Sequence, residues 1–78
     1  MTINLTQMRP GETGIVKEIQ GGGHGLVRKL QSMGLRLGKK ITKVSSHFWN
    51  GPQTVKVGNI QIAVGFGMAK SILVEVKR

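Results

Sequence analysis

The side chains able to ligate a metal or move a proton are few: His24 and His47, and the carboxylates Glu12, Glu18 and Glu75, with no aspartate and no cysteine. A first-row metal site wants three or four convergent ligands, and these five show neither an i, i+4 pair nor a C-x-x-C spacing. Both histidines therefore read as loop or strand residues, and a metal site would need two copies of the chain. The same inventory removes Ser-His-Asp and thiol nucleophiles and leaves no neighbouring pair of carboxylates. The residues point away from catalysis.

Twelve glycines raise the question of a phosphate cradle. The cluster at residues 21–25 does not fit G-x-G-x-x-G, because the last glycine would fall on Leu26 or Arg28. Residues 34–40 read G-x-x-x-G-K-K, one residue short of a P-loop and without its Ser or Thr. The cluster is read as a loop that allows a sharp reversal, although free amides at the following helix N-terminus could attract an anion.

Charge is the stronger signal. Twelve Lys+Arg against three acidic residues give a net charge of +9 and a pI near 11.2, so an acidic partner is expected. Arg28, Lys29, Arg36, Lys39, Lys40 and Lys43 fall in one helix, its exit and the strand after it, and are taken as one basic face. Nucleic acid, anionic lipid headgroups and an acidic protein surface would all satisfy that field. Base stacking needs aromatic rings, and Phe48, Trp49 and Phe66 are the only ones, which disfavours nucleic acid. Phe48 and Trp49 are adjacent, so in a strand they point to opposite faces and one becomes a partner contact. A bend that folds both over one end of the molecule is the alternative.

The elements that must position these residues follow from periodicity. Leu26, Leu30 and Met33 recur at helical spacing, with Val27 widening the stripe. Gly34 then falls where the chain must leave the helix. With Gly34 at C′, Leu30 takes C3 and Leu35 takes C″, the apolar pair of a Schellman stop. Residues 13–20 read as a first strand with a bulge, and residues 39 to about 48 as a second. Strands at Val55 and Val57, and at Ile60, Ile62 and Val64, flank a tight Gly58-Asn59 loop. Residues 65–70 read as a 3₁₀ turn before a last strand through Ile72, Val74 and Val76, expected to close a barrel. Pro10-Gly11 calls a turn, and residues 5–8 could form a helical one. The fold class is mainly β, a small barrel with one short α-helix between the first and second strands.

At 78 residues the chain has room for one domain. No apolar run approaches the ~20 residues of a membrane span and no secretory signal opens the chain, so a cytoplasmic protein without direct membrane insertion is expected. Weak homo-oligomerisation stays open.

The order of residues resembles the FeoA family, small accessory proteins of bacterial ferrous iron uptake. Leu5 with Pro10-Gly11, Gly14-Ile15-Val16, the glycine-rich loop, the run from Arg28 through Leu30, Met33, Gly34 and Leu35 to Gly38, and Gly51-Pro52 carry it. Leu37 departs from a frequent proline, and Gly65 from a common basic residue. The resemblance implies an SH3-like barrel in the cytoplasm that acts through the cytoplasmic side of the FeoB-type GTP-dependent iron permease, and it does not imply catalysis; no cofactor is expected. Similar domains are fused to metal-dependent repressors, but DNA-binding helices are lacking here. A basic nucleic-acid-binding or metal-sensing module is the competing reading.

Overall fold

Alternation of buried and exposed side chains runs through most of the chain and sets one sheet. The structure, a computed structural model, describes residues 1–21, 23–46 and 51–78. Its strands are β1 (Thr2–Asn4), β2 (Thr13–Ile19), β3 (Lys40–Ser46), β4 (Gln53–Val57), β5 (Ile60–Val64) and β6 (Ile72–Val76). They form a single antiparallel sheet in the order β1-β6-β2-β3-β4-β5. Ile3 of one edge strand and Val64 of the other belong to the same buried cluster, so the sheet curls back on itself into a small SH3-like barrel.

Two bulges keep the alternation on target. Gly14 and Val16 face inward, and an uninterrupted strand would next bury Glu18; the register shift between Val16 and Glu18 turns Ile19 to the core instead. A second shift follows Lys43 in β3. The β4–β5 hairpin pairs Val57 with Ile60 around Gly58-Asn59, and Gly58 has φ +61°, as the twist of a two-residue hairpin loop requires.

Helix α1 (Gly23–Ser32) and a five-residue helix α2 (Phe66–Lys70) complete the barrel. The 3₁₀ turn Leu5–Gln7 is held by a capping box, with Asn4 accepting from the Thr6 amide and Gln7 accepting from the Asn4 amide. The expected element at residues 65–70 is thus an α-helical turn rather than 3₁₀.

Strand count and closure differ from the sequence expectation. Helix α1 joins β2 to β3, because a three-residue strand, β1, precedes them. With one apolar residue in three, Thr2-Ile3-Asn4 has no readable period, and it is a strand only because Ile3 pairs with Val74, far along the chain. Strand β6 accordingly lies inside the sheet, between β1 and β2.

Candidate functional site

The basic surface is positioned by the way α1 ends. Leu30 is fully buried, and Leu26 and Met33 pack against the core beside it. At the end of the helix the Leu35 amide donates to the Leu30 carbonyl at 2.9 Å and the Gly34 amide donates to the Gln31 carbonyl at 3.0 Å. These are the two bonds of a Schellman motif, Gly34 has φ +95°, and Leu35 is buried with Leu30 as the motif's apolar pair. Burying those two leucines contributes about 2–3 kcal/mol each.

The chain then crosses to β3 through a loop tied to β2. Gly38, with φ +84°, donates its amide to the Val16 carbonyl at 2.7 Å, and the Val16 amide donates to the Lys39 carbonyl at 3.0 Å. The loop backbone faces the sheet, and Arg36, Leu37 and Lys39 are exposed.

Gly14 makes a different demand. A Cβ there would lie 2.4 Å from Val74 Cγ1 and 2.8 Å from the Glu75 carbonyl oxygen. Only glycine lets β6 approach β2 at this point.

Three cations converge. Lys39, Lys40 and Lys56 line a shallow depression of about 410 Å³ with Gly38, Thr42 and Gly58. Thr42 pairs with Lys56 across β3 and β4, and Lys40 lies two residues from Thr42 on the same outward face. A neighbouring depression of about 290 Å³ is lined by Met33, Gly34, Arg36, Lys39, Val57 and Ile60. Lys39 belongs to both. Arg28 and Lys29 are exposed on α1 but line neither depression.

Lys43 leaves the basic face. Its side chain is fully buried, and Nζ donates to the carbonyl oxygens of Leu5 at 2.8 Å and Met8 at 3.2 Å. Burial pushes its pKa below the ordinary lysine value, and the Glu12 carboxylate opposes that shift. The physical reason for the correction is parity: Ile41 and Lys43 share the inward face of β3, so a lysine placed there must find acceptors inside. Lys56, which sequence reasoning passed over, takes its place on the surface. The signal was available, since Val55 and Val57 alternate inward around it.

Two of the three carboxylates are occupied elsewhere, and Glu18 is exposed on β2. Arg78 donates from Nε and Nη2 to both oxygens of Glu12 at 2.8 Å, and with the Arg9 amide this lowers the Glu12 pKa to about 2. Glu75 accepts from the N-terminal ammonium of Met1, which lowers its pKa also. Among the described residues no three of His, Cys, Asp and Glu come together. Phe48, Trp49 and His47 lie outside the described residues, as does the side chain of His24.

A curled antiparallel sheet carrying a helix with a Schellman stop defines a small SH3-like barrel, with an exposed cationic end. The chain matches the model of the FeoA domain over residues 3–76. It belongs to the FeoA family. It is 37% identical over 71 residues to a protein of Methanocaldococcus jannaschii named "Putative Fe(2+) transport protein A", covering 91% of this chain and 83% of that one. A crystal structure described as an iron uptake regulatory protein, FeoA, superimposes with a TM-score of 0.85 at 40% identity, covering 96% of both chains. A manganese-dependent transcriptional repressor shares the fold at 22% identity and a TM-score of 0.87, over 97% of this chain and 42% of that one.

Proposed function

We propose that this protein is a nonenzymatic, cytoplasmic accessory of ferrous iron uptake that docks on the cytoplasmic side of the FeoB-type GTP-dependent iron permease and modulates its transport by contact. The observation that carries the reading is membership of the FeoA family over nearly the whole chain, in relatives named for Fe(2+) transport. The exposed cations Arg28, Lys29, Arg36, Lys39 and Lys40 suit an acidic partner, and Phe48 and Trp49 are further candidates for contact. An ordinary interface takes about 800 Å² from each partner. The chain exposes 4861 Å², so about a sixth of it would suffice.

Copurification with the full-length permease, with and without GTP, is the direct test. Stable capture that depends on the α1 and β3 cations supports docking. Absence of capture, together with salt-steep retention on duplex DNA, would replace the reading with a nucleic-acid-binding module, because phosphate contacts give a log-log salt slope of about −0.9 each.

A further inference from the structure

The two depressions that meet at Lys39 form one continuous end of the barrel, built by the α1–β3 loop and the β4–β5 hairpin. Arg36, Lys39, Lys40 and Lys56 supply four exposed cations there, and neither depression is lined by a carboxylate. Two aliphatic side chains protrude from the same end: Leu37, 63% exposed between Arg36 and Gly38, and Ile60, 64% exposed at the hairpin. Glu12 and Glu75, bound to Arg78 and to the N-terminal ammonium, share a third depression with Lys40, so Arg36, Lys39 and Lys56 are the cations farthest from those two carboxylates.

We infer that this end of the barrel rests on an anionic bilayer surface, with the Leu37 and Ile60 tips at the headgroup boundary and Arg36, Lys39, Lys40 and Lys56 against lipid phosphates. Charge complementarity names the occupant. Cations attract a negatively charged leaflet additively, whereas a folded acidic protein would need shaped pockets for the aliphatics. Here Leu37 stands on a turn and Ile60 opens β5 beside the hairpin loop, and the depressions beside them are shallow. Protruding apolar tips ringed by Lys and Arg are what an interfacial contact requires. Contact is confined to side-chain tips, and among the described residues no helix is long and apolar enough to cross a membrane. The inference draws on Arg36, Lys39 and Lys40, which the docking reading also uses, and leaves the exposed Arg28 and Lys29 of α1 for the permease.

Flotation of the protein with vesicles tests it. Vesicles of phosphatidylcholine containing about one-third phosphatidylglycerol should carry the protein at low salt, while pure phosphatidylcholine should not. Removing both charges in K39Q/K56Q should weaken partitioning by about fivefold for each lysine. L37S/I60S should weaken it by roughly tenfold without changing net charge. The control R9Q/K70Q removes two cations away from this end and should weaken partitioning far less. Equal loss in the control, wild-type partitioning of L37S/I60S, or no flotation at all would overturn the inference. So would release from vesicles by inorganic phosphate at constant ionic strength, which would assign the cations to a free anion. All the substituted positions are exposed, and unchanged urea midpoints would show that the variants fold. Capture of the permease in detergent involves no bilayer, so the two readings fail separately.

Discussion

The ammonium of Lys43 donates to the carbonyl oxygen of Leu5 at 2.8 Å, joining two fully buried residues 38 positions apart. Around it the same residue donates to the Met8 carbonyl, accepts from the Gly11 amide at 2.7 Å and donates its own amide to the Glu12 carbonyl at 2.8 Å. One lysine thus pins the turn at Leu5–Gln7 and the Pro10-Gly11 turn to β3. Without it, the Met8 carbonyl would be buried with no donor, and the Leu5 carbonyl would keep only the bond from the Met8 amide at 3.3 Å.

Replacing Lys43 by methionine keeps the volume and removes those donors. An unmet buried acceptor costs about 1–3 kcal/mol, partly offset here by relief of a buried charge. K43M should lower unfolding stability by about 1–3 kcal/mol in urea titrations. An unchanged midpoint would mean that water reaches the Met8 carbonyl.

The ion pair between Glu12 and Arg78 makes stability sensitive to acid. The Glu12 pKa is held at about 2 in the folded chain, below the ordinary carboxylate value of 4.5, so the unfolded chain binds the proton more readily. The pair's contribution is present above pH 4.5 and is lost as pH falls toward 2. Thermal unfolding followed across that window should show a steeper acid loss for the wild type than for R78A. Parallel profiles would remove the pair from the acid response.

Gly14 and Gly34 fail differently when replaced by alanine. At Gly34 the nearest neighbour to a new Cβ is Val57 Cγ1 at 3.7 Å, an ordinary contact, so the cost is the left-handed backbone alone, about 1 kcal/mol or more. At Gly14 a Cβ would meet the Glu75 carbonyl oxygen at 2.8 Å, and backbone must move. G14A should cost about 1–3 kcal/mol and raise amide exchange along β6, whereas G34A should raise it at Leu35. Identical exchange patterns in the two variants would contradict this division.

Reversing charge on the exposed cations should leave folding intact and weaken docking. R28E/K29E/K40E alters three exposed residues outside the core, so its urea midpoint should match the wild type. Its capture by the permease should fall by tenfold or more, since like charges across an interface are strongly unfavourable; roughly 1.4 kcal/mol suffices for that factor. Wild-type capture would direct attention to Trp49.

Local periodicity and turn chemistry by themselves determined α1, its stop at Gly34, the Gly58-Asn59 hairpin and the bulged first long strand. Each is fixed by neighbours within a few residues, so each leaves a pattern in the chain. Strand β1 and the inward turn of Lys43 were decided only in three dimensions. Ile3 becomes a strand residue by pairing with Val74, and Lys43, turned inward with Ile41 by strand parity, is tolerated there because Leu5 and Met8 bring their carbonyls to it. The convergence of Lys40 and Lys56 is likewise a product of register between β3 and β4, which sets Thr42 opposite Lys56. A lysine's charge is legible in sequence, but whether water or a carbonyl solvates it depends on segments that meet only when the sheet curls.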